Sequence, residues 1–298
     1  MNISFARIAA ILALPLLAAC AGSPTQSTAE VEVPGYEGVQ DGEFFIQPVP
    51  EKYLFEGNRR EEVAYTADDA PGMIVVDTFA RKLYYVLEGG RAIRYPIAVG
   101  REGLSFRGAG VIGRKSEWPS WQPTANMIRT RPDLYAAYAG GLPGGLENPL
   151  GARAMYLYRG GRDTMFRIHG TVDNASIGHA TSAGCIRLFN QDAIDLYGRV
   201  DTGTRVKVRS QEESLAAEGP MMDDAYGRVV PESPQAIAQK ERDLARIAKA
   251  SERDEKQRLA ACKRRGLPAE DCPLPLPENA VVTAGTSGPS TVATSTDG

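Results

Sequence analysis

Two residues near the middle of the chain, Cys185 and His169, are the best equipped to do chemistry. Cys185 stands in Ser182-Ala183-Gly184-Cys185-Ile186-Arg187 and His169 in Phe166-Arg167-Ile168-His169-Gly170-Thr171. A thiol at neutral pH is mostly protonated, and it becomes a nucleophile when a nearby imidazole takes its proton and pairs with the thiolate. Gly184 lets the backbone turn beside the sulfur, so the Gly184 and Cys185 N–H groups are candidates for holding a developing oxyanion. The backbone at Gly170 can orient the imidazole through a carbonyl, in place of a third side chain. Ser182 can hydrogen-bond within the turn. Arg187 brings a planar cation two residues beyond the sulfur, suited either to a substrate carboxylate or to a structural ion pair. The second histidine, His179, takes no role from its setting and reads as a surface residue. Zinc would want a closed ligand spacing, and the chain has no CxxC or HxxxH, so neither metal nor cofactor is expected. Papain-like hydrolysis is disfavoured because there the cysteine precedes the histidine.

A histidine and a cysteine this far apart in sequence need a frame that brings them together. Met165, Phe166 and Ile168 read as a buried strand ending at His169, and Ile186 and Leu188 resume a strand-like alternation after the thiol. Asn190 reads as the N-cap of a short helix carrying Ala193, Ile194, Leu196 and Tyr197. Upstream, Met73–Asp77, Lys82–Leu87 and Ala92–Val99 are short strands, with Glu88-Gly89-Gly90-Arg91 as a hairpin turn. Val111–Gly113, Ala154–Tyr158 and Val206–Val208 continue the set. Strands so closely spaced by glycine turns predict an all-β or mostly β domain, not a parallel βαβ fold. Trp118 and Trp121 sit beside Pro119 and Pro123. They either wall a substrate groove or complete the core. Leu142–Leu146 and Asn148–Gly151 read as an irregular stretch.

The ordered series His169-Gly170-Thr171, Ile177-Gly178, Ser182-x-Gly184-Cys185-x-Arg187 resembles the signature of the L,D-transpeptidase (YkuD-type) catalytic domain of bacterial cell-wall enzymes. The resemblance covers about residues 72–209 and implies a mostly β fold, a mixed-sheet, β-sandwich or barrel-like domain with short helices. It implies Cys185 as nucleophile, His169 as general base, and Gly170, Ser182, Gly184 and Arg187 as oxyanion or substrate-binding groups. It also implies a reaction on peptidoglycan stem peptides, with an acyl-enzyme passed to an amine. Another stem would yield a 3–3 crosslink, a protein amine would attach that protein to the wall, and water would make the enzyme a carboxypeptidase or endopeptidase. A non-catalytic peptidoglycan-binding lipoprotein is the alternative from another class. Acylation by carbapenems at the same cysteine is implied for the family as a whole. Two positions depart from the family pattern: Ala183 stands where many members carry histidine, and Val172-Asp173-Asn174 replaces a frequent Asn-Glu-Pro.

The ends of the chain speak to location. Arg7 precedes an apolar run from Ile8 to Leu17 that is too short to span a bilayer and reads as an export signal over residues 1–19. Leu17-Ala18-Ala19-Cys20 resembles a lipobox, which implies a lipid on Cys20, and Ala21 after it implies the outer membrane facing the periplasm. Residues 20–71 then form a largely irregular tether, on which Tyr53–Phe55 and Val63–Tyr65 are apolar enough to pack onto the domain. With Cys20 lipidated, Cys262 and Cys272 close the shortest loop and are expected to pair, leaving Cys185 free. Residues 210–298 comprise a charged helix, from the Ser233 N-cap and Pro234 to Gly266, and a disordered tail. That helix is either a docking arm or a solvated appendage. A net charge of −3 on 298 residues argues against nucleic acid as a partner.

Overall fold

The β-branched runs between glycine turns do become strands. The computed structural model describes residues 32–100, 106–181 and 186–273. In chain order the strands are β1 (Val39–Asp41), β2 (Phe44–Ile46), β3 (Glu61–Ala64), β4 (Ile74–Asp77), β5 (Lys82–Leu87), β6 (Arg91–Pro96), β7 (Ala98–Gly100), β8 (Gly108–Glu117), β9 (Arg153–Arg159) and β10 (Arg162–His169). They continue with β11 (Ala180–Thr181), β12 (Ile186–Arg187), β13 (Arg205–Val208), β14 (Met221–Asp223) and β15 (Val229–Pro231). Helices α1 (Ala125–Thr130) and α2 (Pro132–Tyr135) lie between β8 and β9, α3 (Asn190–Arg199) follows β12, α4 (Gln211–Glu218) follows β13, and α5 (Pro234–Arg264) follows β15.

Eleven strands form one sheet in the order β11-β7-β12-β10-β9-β8-β13-β4-β5-β6-β3. The pairs β10–β12, β7–β11 and β4–β13 are parallel and the other neighbours antiparallel, so the sheet is mixed. Leu83 of β5 and Ile186 of β12 stand far apart in that order yet share one buried cluster with Ile168, Ile112 and Leu196. The sheet therefore wraps around its core, and α3 fills one side of it. Fully burying each such side chain contributes roughly 1.5–3 kcal/mol.

The described part of the expected tether is irregular between three short strands, β1, β2 and β3, and it packs onto the domain. β3 pairs with β6 and extends the main sheet, and Tyr36, Val49 and Leu54 join Ala98, Ile177 and Phe189 in a second buried cluster. The Tyr53–Phe55 and Val63–Tyr65 stretches pack as their apolarity suggests, Leu54 and Tyr65 both being buried. Isolated apolar residues among Pro and Gly show no periodicity, so their partners could not be read from the chain itself.

Asn190 departs from expectation too. It is the first residue of α3 rather than its cap, and Phe189 at the cap position offers no side-chain bond. The Asn190 carboxamide oxygen instead accepts the Ala152 N–H at 2.9 Å. Beyond β13 the chain is more ordered than its polarity suggests: Ser210 and Glu213 cap α4 reciprocally, and β14 pairs with β15. Ser233 caps α5 through the Ala236 N–H, Gly266 follows with φ 73°, and Cys262 and Cys272 are disulfide-bonded.

One contact in the N-terminal clasp titrates. Asp192 on α3 is buried, accepts the Tyr36 hydroxyl at 3.1 Å and lies 3.4 Å from an Arg60 nitrogen, yet its second oxygen has no hydrogen-bond partner. Burial therefore pushes its pKa up from 3.8 to about 7. With the folded value above the unfolded one, the stability contributed is full below about pH 4 and is lost as pH rises through 7. Asp192→Asn is expected to raise stability over the parent by about 1 kcal/mol or more at about pH 8, and to change it little at about pH 3.5, where the carboxyl is protonated in both states. Urea midpoints at the two pH values check this, and equal shifts at both would place the titration elsewhere.

Candidate active site

Strand register, not sequence distance, decides what stands near His169. The residue ends β10, opposite Ala154 of β9 on one side and Arg187 of β12 on the other. Ile186, which follows Cys185 in sequence, is registered opposite Ile168. Ser182, Gly184 and Cys185 lie outside the described residues, as does Cys20. The described residues on either side of that segment, Thr181 and Ile186, take adjacent register positions on β7, at Gly100 and Val99.

His169 is only 4% exposed, and its Nδ1 lies 2.6 Å from the Gly170 carbonyl oxygen. A carbonyl only accepts, so Nδ1 carries the proton and Nε2 keeps the lone pair free to receive one. Burial, with the Arg187 and Arg167 cations beside it, pushes the imidazole down from 6.5 to about 3. The ring is therefore neutral across the working range. These surroundings favour a neutral general base over the resting imidazolium–thiolate pair that the residue types alone suggest. Gly170 itself is engaged differently from an oxyanion donor, because its N–H donates to the Arg153 carbonyl at 3.0 Å. A Cβ at Gly170 would fall 2.2 Å from the Asn190 oxygen and 3.2 Å from the Ala152 nitrogen, so any side chain here would displace the carboxamide that ties α3 to Ala152.

His169 opens onto a cleft of about 560 Å³. Trp121, Tyr135 of α2 and Leu150 line one side, and Arg114, Tyr156, Arg167 and Arg187 also face it. The two tryptophans thus separate: Trp121 stands at the cleft, with its ring centroid 6.3 Å from that of Tyr135, whereas Trp118 packs on Phe44 at 4.3 Å. Buried Asn148 braces this side, donating to the carbonyls of Pro119 at 3.0 Å and Pro143 at 2.8 Å. His179 is half-buried rather than a surface residue; it makes an isolated bridge with Arg228, and burial with Arg81 lowers its pKa. A separate hollow of about 440 Å³ beside the Arg81–Asp223 ion pair contains neither histidine.

Arg114, Tyr156 and Arg167 are site residues that the motif did not indicate. The alternation of Arg167 with His169 places both on one strand face, a signal in the chain for Arg167 but not for Arg114 or Tyr156. Among the described residues, no three His, Cys, Asp or Glu side chains gather to hold a metal ion.

The model of the L,D-transpeptidase catalytic domain (YkuD) matches residues 71–208. A putative L,D-transpeptidase from an ATP synthase subunits region of Fuscovulum blasticum is 40% identical over 138 residues, which cover 46% of this chain and 68% of that protein. The probable L,D-transpeptidase ErfK/SrfK of Escherichia coli K12 is 34% identical over 148 residues, covering 49% of this chain and 46% of that one. The match thus spans about half the length of that relative. A solved structure from Brucella melitensis, described as a probable carnitine operon oxidoreductase, shares 47% identity over 51% of this chain and 95% of its own, with a TM-score of 0.37.

Proposed function

The chain belongs to the L,D-transpeptidase catalytic-domain family, and from that premise we propose that it is a peptidoglycan L,D-transpeptidase with Cys185 as nucleophile. His169 Nε2 takes the thiol proton as Sγ attacks the diaminopimelyl carbonyl that precedes the terminal D-alanine of a tetrapeptide stem. The tetrahedral oxyanion collapses, the C–N bond breaks, and the imidazolium returns its proton to the leaving D-alanine amine. An acceptor amine then attacks the thioester, His169 takes its proton, and the thiol is restored. Splitting one amide exchange into two acyl transfers lowers each barrier. Cys20 would carry lipid and hold the protein at the outer membrane, facing the wall.

The observation that carries this reading is the Nδ1-to-carbonyl contact at His169, which leaves Nε2 as the proton acceptor in a chain whose motif supplies the thiol. Arg187, registered beside the imidazole, suits the carboxylate of the departing D-alanine. Mass spectrometry of tetrapeptide muropeptides incubated with the full chain, beside Cys185→Ala, tests it. Crosslinked dimers formed only by the parent support transfer to a second stem, and trimmed tripeptides alone make it a carboxypeptidase. Unchanged muropeptides with both proteins would replace the enzyme with a binding module.

A further inference from the structure

We propose that Arg114, Tyr156 and Arg167 form a second anion subsite in the cleft, which holds an internal carboxylate of the donor stem and makes the protein selective for stems whose internal carboxylates are free rather than amidated. The inference rests on the reading of the cleft as a stem-peptide site. It starts from register. Tyr156 of β9 is opposite Arg114 of β8 and opposite Arg167 of β10, so the three form one row across three adjacent strands. Both guanidiniums lie over the Tyr156 ring, 3.5 Å and 4.4 Å from its centroid. Register shifts between Ile112 and Arg114 on β8, and between Asp163 and Arg167 on β10, border the row, and irregularities of this kind re-aim side chains.

Two like charges on one ring repel, and a purely structural role would supply each with a counter-ion. Arg167 has one, pairing with Asp163 at 2.8 Å. Arg114 is exposed and has no hydrogen bond or ion pair among the described residues. No aspartate or glutamate lines the cleft among the described residues, although the chain as a whole carries a net charge of −3. Three guanidiniums in an otherwise uncharged cleft focus a positive field on it, and a planar fork matches a carboxylate in two-point contact. Arg167 precedes His169 by two residues on the same strand face, about 7 Å along the strand. An extended donor can therefore place one carboxylate near Arg187, at the reacting centre, and a different one over Arg114 and Arg167.

The test uses the full chain and two synthetic tetrapeptide stems, one with both internal carboxylates free and one with both amidated. Turnover is measured for the parent, Arg114→Gln and Arg114→Lys, and equilibrium binding for the same three proteins in a Cys185→Ala background. The parent is expected to prefer the free stem by about tenfold or more in both readouts. Arg114→Gln should lose most of that preference, and Arg114→Lys should keep part of it. Raising salt from about 0.1 M to about 0.5 M should shrink the preference. Equal preference in parent and Arg114→Gln, or none in the parent, overturns the subsite and leaves acyl transfer standing if both stems turn over. Tighter binding of the free stem without turnover of either keeps the subsite and overturns the transpeptidase reading. Failure to bind either stem overturns both.

Discussion

Replacing His169 by glutamine is expected to lower kcat for D-alanine release by about two to four orders of magnitude, the usual contribution of a positioned general base. The fold should persist, because glutamine keeps a polar group at a position that already has a carbonyl partner in Gly170. Near-parent turnover in a variant with an intact circular dichroism spectrum would sink the assignment of the base. The pH profile adds a second readout. An imidazole held at about 3 does not titrate near 6.5, so kcat/KM of the parent should show no inflection between about pH 5 and 7. An inflection near 6.5 would mean that the ring is open to water. Stability carries the opposite imprint. The folded value is depressed, so only the unfolded chain takes up the proton as pH falls below 6.5, and stability declines from there towards pH 3. His169→Gln should lose that part of the acid sensitivity.

Gly151→Ala is the substitution expected to damage the fold most sharply for the smallest change in mass. Gly151 adopts φ 62°, a left-handed conformation that disfavours a Cβ. The added atom would lie 2.2 Å from the Asn190 oxygen, 2.6 Å from the Thr171 nitrogen and 2.7 Å from the Gly170 carbonyl carbon. Two of the three are backbone, so no rotamer change relieves the clash. Backbone strain and overpacking together are expected to cost roughly 2–5 kcal/mol, read as a lower urea midpoint. Activity should fall further than stability, because the displaced Gly170 carbonyl is the group that orients His169. At a temperature where the variant is still folded, kcat is expected to drop about tenfold or more. A midpoint within a degree or so of the parent's on thermal melting would show that the 151–171 contact is loose, and the argument for carbonyl positioning would fail with it.

Local sequence was enough for some of this protein. The β-branched run Ile74–Val76 and the aromatic-rich run Leu83–Val86 declared strands because their side chains suit a pleated, buried surface. Ser233-Pro234 and Gly266 marked the ends of α5 because capping depends on one turn of chain alone. The order of His169, Cys185 and Arg187 carried the family because motif residues stand in fixed sequence relation to one another. Other features had no local trace. Asn190 looked like a cap because its residue type suits one, but its oxygen answers the Ala152 N–H, far off in the chain. Tyr36 and Leu54 belong to the core only because Phe189 and Ile177 are there to meet them.

The cleft divides along the same line. The residue types of His169 and Cys185 announced acid–base and nucleophilic chemistry. The choice of a neutral imidazole over a charged one depends on burial and on Arg167 and Arg187, which exist as neighbours only after the strands have paired. Arg114, Tyr156 and Arg167 come from three separate strands, and nothing in any one of those segments specifies the register that stacks them. Charge, hydropathy and capping act within a few residues and can be read along the chain. Register, burial and the fields of distant cations are properties of the assembled sheet, so tertiary structure alone decided them.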